Sequence, residues 1–189
     1  MALVSKGMKM KMKLLYIILL LSFNLFASQS ISDAEKPQIM LESISKHAIR
    51  IGNGDAKVVY MFIDPMCKVS KALMRKINEN KMLQLTNTYY MFLYRLPRLD
   101  SDKLIQYIYQ SDEQKSTLLD VMVDEEIIDL DDFIASDKTI KAIQAIAEVA
   151  KKLDMTVRPY LISFEKDSKY CRVSEGIASC LEELTEFEN

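Results

Sequence analysis

The chain reads as an α/β domain, and three observations point there. Val58 to Ile63 is a run of β-branched and aromatic residues dense enough for a strand buried on both faces. Past Asp64 and Pro65, which stop that run, Val69, Leu73, Met74 and Ile77 follow the three-to-four spacing of a helix laying one side on a core. Further on, a second aromatic-rich run and a closing strand pair are separated by a long stretch of helical periodicity. Strands that pair across a helical excursion define the α/β class.

Taken in order, Ser28 to Lys46 is polar with scattered apolar residues and fits either a short helix packed on the domain or a mobile leader. We place it outside the domain proper, which is expected to span 47–189. His47 to Gly52 suits a first strand, and Asn53-Gly54 is a turn signal before Val58. The helix after Cys67 should end near Asn80. Thr86 to Leu96, rich in Tyr and Thr, then reads as the neighbouring strand, stopped by Pro97. Asp102 to Gln110 and Ser111 to Val123 carry helical patterns, as does the acidic stretch Asp124 to Ile134. Ser136 or Asp137 caps the last helix of the excursion, on which Ile140, Ile143, Ala147, Val149 and Leu153 keep the period. Tyr160 to Phe164 and Tyr170 to Ser174 form an antiparallel pair around a polar turn. Ile177 to Phe187 is a terminal helix.

Cys67 stands where the buried strand turns into a helix. Its sulfur therefore faces the first free backbone N–H groups and the positive end of the helix dipole, with Lys68 and Lys71 close by, an arrangement that favours a thiolate nucleophile. The competing reading is a buried, inert cysteine. Cys171 and Cys180 fall near each other on the last strand and terminal helix, so a structural disulfide is expected. Closing so short a loop adds about 2.5–3 kcal/mol in the chain-entropy model. Alternatively, one of the two resolves Cys67.

The stretch Phe62-Ile63-Asp64-Pro65-Met66-Cys67-Lys68-Val69-Ser70, after the lead-in Gly54 to Val58, resembles the active-site turn of the thioredoxin superfamily. The likeness is strongest to the bacterial periplasmic Dsb-type disulfide isomerases, whose turn commonly reads Phe-x-Asp-Pro-x-Cys-Pro-Tyr-Cys. Downstream, Ala150 to Ile162 resembles the segment carrying that family's cis-proline, here Pro159. The resemblance implies a thioredoxin-like fold: a central mixed sheet with a helical insertion before the cis-Pro strand. It also implies Cys67 as the catalytic thiol, with Ser70, Arg158 and Pro159 beside the substrate. Two departures matter. Ser70 takes the place of the second cysteine and cannot close an internal disulfide, which leaves monothiol isomerase or reductase chemistry. Arg158 replaces the usual threonine before the proline, so substrate choice does not carry over. A non-catalytic binding or assembly module on the same fold is the alternative function.

Lys6, Lys9, Lys11 and Lys13, followed by an apolar run from Leu14 to Phe23 and small residues around Ala27, describe a signal peptide over 1–27. An uncleaved anchor is the alternative. Export to the periplasm follows, a compartment in which disulfides persist. The whole chain has 25 Lys+Arg against 27 Asp+Glu; without those four lysines the balance is 21 against 27, or −6. Such an acidic protein is a poor nucleic-acid binder. The expected partners are cysteine-containing exported proteins and a membrane or periplasmic thiol reductant. No cofactor is implied. Nor is a metal: the acid run 124–132 lacks ligand spacing and reads as a solvated helix face, and Met66-Cys67 alone is too thin a site.

Overall fold

The computed structural model describes residues 35–165 and 171–175. The elements are α1 (Glu35–Ile44), β1 (Ile49–Ile51), β2 (Lys57–Ile63), α2 (Lys68–Glu79), α3 (Lys81–Thr86) and β3 (Asn87–Leu93). After them come α4 (Asp102–Gln110), α5 (Gln114–Met122), α6 (Asp137–Lys152), β4 (Tyr160–Glu165) and β5 (Cys171–Glu175).

The strands form one mixed sheet in the order β1-β3-β2-β4-β5. β2 runs parallel to β3 and antiparallel to β4, so it lies in the middle and can be apolar on both faces. Met61, Phe62 and Ile63 are accordingly buried. Register brings aromatic residues together across the parallel pair: Phe62 opposes Phe92 with ring centroids 4.9 Å apart, and Tyr60 opposes Tyr90 at 5.3 Å. Contacts of this kind add to the area they bury. The parallel pairing requires a crossover, which α2 and α3 supply.

The buried face of α2 is Ser70, Leu73, Met74 and Ile77, at the i, i+3, i+4, i+7 spacing. Apolar character puts Val69 on that face; the structure turns the polar Ser70 inward and leaves Val69 half-buried. α1 belongs to the domain rather than to a leader ending at Lys46, because Leu41 and Ile44 are buried in the core. α6 is capped by Ser136, whose hydroxyl accepts the Thr139 N–H at 3.3 Å. Its buried face is offset from the expected one, with Thr139, Ile146, Val149 and Ala150 inside and Ile140 outside.

β3 begins within one residue of the expected Thr86 but ends at Leu93 rather than Leu96. A short helix, α3, lies just ahead of it; Asn80 caps it by accepting the Met82 and Leu83 N–H groups at 3.0 and 3.2 Å. The acidic stretch 124–134 is not helical. Continuing α5 would load Asp124, Glu125 and Glu126 onto the negative end of its dipole, so the helix stops at Met122 and Glu125 takes a positive φ of 58°. The stretch is a loop held from outside itself: Glu125 pairs with Arg75, Lys103 donates to the Leu130 carbonyl at 3.1 Å, and Phe133 meets Tyr107 edge-on.

The turn into β2 needs its glycines. Gly52 has φ +76°, and a Cβ on Gly54 would lie 2.0 Å from the Thr86 carbonyl carbon, well inside any real contact. Backbone and side-chain hydrogen bonds from Asn53, Gly54, Ala56 and Thr88 bind this turn to the end of α3 and the start of β3. The expected signal peptide over 1–27, residues 28–34, the polar turn after β4, Cys180 and the terminal helix all lie outside the described residues. So does the side chain of Cys171, and with it the expected disulfide. No helix among the described residues is long and apolar enough to cross a membrane.

Candidate active site

The site is assembled at the C-terminal end of β2. Asp64 leaves the strand and Pro65 sets the next φ, so the chain closes a tight turn in which the Cys67 N–H donates to the Asp64 carbonyl at 3.0 Å. The Asp64 side chain reinforces it, one carboxylate oxygen accepting the Met66 N–H at 2.8 Å. Cys67 emerges as the N-cap of the 12-residue α2, with φ −78° and ψ 118°, and its carbonyl accepts the Lys71 N–H at 2.9 Å. The sulfur thus sits at the mouth of the helix, where unpaired N–H groups and the dipole favour negative charge. Cys67 is 4% exposed.

Across from it lies the segment before β4. The Arg158–Pro159 peptide is cis, and the Arg158 carbonyl oxygen faces Cys67 Sγ at 3.8 Å. Two residues 91 positions apart in the chain therefore meet at one sulfur. Pro159 is buried, whereas Val157 and Met66, next in sequence to the two facing residues, keep 38% and 44% of their surface. Each facing residue thus has an exposed apolar neighbour in the chain.

Two of the residues expected to meet substrate turn inward instead. Ser70 is fully buried, and its hydroxyl accepts the Asp64 N–H at 3.4 Å, so it supports the turn from below. Arg158 presents its backbone, not its charge. Its guanidinium donates to the carbonyls of Tyr94 (3.0 Å), Met155 (3.3 Å) and Val157 (2.6 Å) and lies over the Tyr94 ring at 3.9 Å. Those carbonyls are spare because the chain leaves regular structure there, and a planar five-donor fork suits them. Burial lowers the Arg158 pKa, while Tyr94, Asp64 and the Cys67 thiol pull the other way.

Sequence reasoning reads Asp64 as a strand stop and a member of the turn motif, and gives its side chain no role. Its carboxylate is fully buried, and the second oxygen accepts from the Leu96 N–H at 2.6 Å and the Ser101 hydroxyl at 3.0 Å. The signal is present in the Asp-Pro dipeptide three residues before the cysteine, but its distant partners, Leu96 and Ser101, leave no mark in the sequence. Tyr94 likewise shows itself there only as a strand residue. The single histidine, His47, is half-buried beyond α1 with Lys46 beside it; burial first and that lysine second lower its pKa. Among the described residues no three His, Cys, Asp or Glu side chains converge as a metal would need.

A mixed sheet, a cysteine at a helix mouth and a cis-proline segment folded across from it make up a thioredoxin-like fold. Solved bacterial structures share that fold. A disulfide interchange protein from Neisseria gonorrhoeae matches with TM-score 0.56 and 16% identity over 75% of this chain and 96% of that one. Proteus mirabilis ScsC, in a transitional conformation, matches with TM-score 0.57 and 18% identity over 98% and 93% of the two chains. Pseudomonas aeruginosa DsbA2 gives TM-score 0.57 and 10% identity over 74% and 93%. At these identities the likeness establishes the fold. No family model matches the chain, and no curated protein does.

Proposed function

We propose that this is an exported, periplasmic thiol–disulfide exchange protein working through one thiol, Cys67, on cysteine-containing exported proteins. The reading is carried by Cys67 Sγ, held at the N-terminus of α2 and faced at 3.8 Å by the carbonyl of the cis Arg158–Pro159 peptide. The disulfide-handling neighbours in fold and the basic-then-apolar N-terminal sequence support it.

In the exchange, the Cys67 thiolate attacks one sulfur of a substrate disulfide. A bond forms between the two sulfurs as the substrate S–S bond breaks, and the other substrate sulfur leaves as a thiolate. A second thiol of the same substrate then attacks the mixed disulfide, releasing Cys67 and leaving the substrate with a rearranged disulfide and no net change in electrons. When an external dithiol reductant attacks the Cys67 sulfur instead, the substrate leaves with both its thiols reduced, and the reductant's second thiol then frees Cys67 as the reductant closes its own disulfide. Ser70 offers no sulfur, so resolution falls to an outside thiol in either case.

The test is trapping. Full-length protein expressed in a bacterial periplasm and blocked with a small alkylating agent should yield reductant-sensitive adducts, with substrate peptides attached at Cys67 by mass spectrometry. Cys67→Ala should abolish them. The low exposure of Cys67 favours a second reading, a binding module without turnover; partners retained undiminished by Cys67→Ala, with no covalent adduct in the unaltered chain, would establish it.

A further inference from the structure

We propose that Asp64 is a positioning residue for Cys67, and that its carboxylate sets how wide an opening leads to the sulfur. The inference rests on Cys67 being the reactive group. Asp64 holds the cysteine turn from both sides of its own peptide: its carbonyl accepts the Cys67 N–H, its N–H donates to Ser70 Oγ, and one carboxylate oxygen takes the Met66 N–H. The other oxygen ties that turn to the segment after β3 through the Leu96 N–H and the Ser101 hydroxyl. That same segment carries Tyr94, whose carbonyl and ring hold the Arg158 side chain, and the Arg158 carbonyl faces Sγ. The walls around the sulfur are therefore linked through one carboxylate and one guanidinium.

The chemistry calls for a carboxylate in particular. Met66 N–H and Leu96 N–H are obligatory donors, and they approach different oxygens of Asp64. Two acceptor oxygens satisfy both. An asparagine has one acceptor oxygen and one NH₂ group, so in either orientation an N–H meets another donor. With the residue fully buried, no water takes over the lost bond. Asp64→Asn keeps the size of the side chain and releases one side of the opening.

Selectivity for reagent size follows. With Cys67 at 4% exposure, a slim reagent needs only a small parting of the walls to reach the sulfur, whereas a bulky one needs a wide one. The experiment measures the rate of Cys67 modification in the intact chain by N-ethylmaleimide and by a polyethylene-glycol maleimide of several kilodaltons, scored at the Cys67 peptide. Both carry the same reactive group, so their rate ratio reports access alone, and it is read well below the melting temperature of each variant. Asp64→Asn should lower the preference for the small reagent by about ten-fold or more, the scale expected on losing a charge-assisted hydrogen bond. Ser101→Ala, which removes only the side-chain donor, should lower it by about two- to five-fold, as for a single net hydrogen bond. A purely structural role would shift melting temperature and leave the ratio alone. The proposal is overturned if the ratio stays within about two-fold of the parent in both variants, or in Ser101→Ala when Asp64→Asn does not fold. Failure to trap substrates, by contrast, would count against the exchange reading and leave this measurement untouched.

Discussion

Replacing Arg158 by methionine should cost the domain about 2–4 kcal/mol. Methionine keeps most of the apolar stem and removes the guanidinium, so the loss is that of the polar contacts. Three backbone carbonyls, those of Tyr94, Met155 and Val157, lose their donor, and the Tyr94 ring loses its cation. Hydrogen bonds to a charged donor are worth about 1.5–3 kcal/mol each, and a desolvated cation–π contact about 2. Against this, the variant no longer has to strip water from a buried cation, the same burial that lowers the Arg158 pKa. The offset brings the net well below the simple total. Lysine restores a charge but has no planar fork, so Arg158→Lys should fall about midway. Urea unfolding is the assay: the midpoint of Arg158→Met should drop by about 1–2 M with an unchanged slope. A drop equivalent to less than about 0.5 kcal/mol, the range of ordinary surface changes, would refute the claim that this side chain bolts the cis-proline segment to the end of β3.

Gly54→Ala should be far harsher than an average surface change, because the new Cβ would overlap the Thr86 carbonyl and the turn must part from β3; a folded variant within about 1 kcal/mol of the parent by urea titration would contradict that contact. His47 makes stability pH-dependent. Its folded pKa lies below the ordinary 6.5, so the unfolded chain takes up its proton first, and stability present above that pH is lost as pH falls through the folded value. His47→Gln should therefore show a smaller decline in melting temperature between about pH 7.5 and 5 than the parent; equal declines would reject it. Ser70→Cys supplies a second sulfur on the same helix turn as Cys67. It should cost about 1 kcal/mol through the weakened bond to Asp64 N–H, and on mild oxidation give an internal disulfide, seen as the loss of two hydrogens in the peptide that spans positions 67–70.

Much of this architecture can be read in advance where local pattern and tertiary role coincide. Past Lys57, β2 is a run of apolar and aromatic residues because it is central, and a run such as Val58 to Ile63 has few other uses. The cysteine at the strand–helix junction and the proline far downstream are legible for a similar reason, since each sits at a boundary that sequence marks. What escapes is polar and non-local. Ser70 faces inward because Asp64 N–H needs an acceptor there, a demand that an apolar pattern cannot register, since it passes over a serine and takes the neighbouring Val69. Arg158 looks like a surface charge because its partners are main-chain carbonyls, which no side-chain pattern encodes. The acidic stretch carries helical spacing, yet its charge falls at the wrong end of α5, and dipole outweighs periodicity.

The border strand β1 has its own bearing on how the domain stays apart from other chains. It pairs for only three residues, Ile49 to Ile51, turns Arg50 to solvent, and is cut short by Gly52 at positive φ. So brief and charged a margin gives an extended polypeptide little main chain on which to add itself as a further strand. The exposed rim of the sheet is thereby kept from serving as a template on which other chains, this one's own copies included, would aggregate.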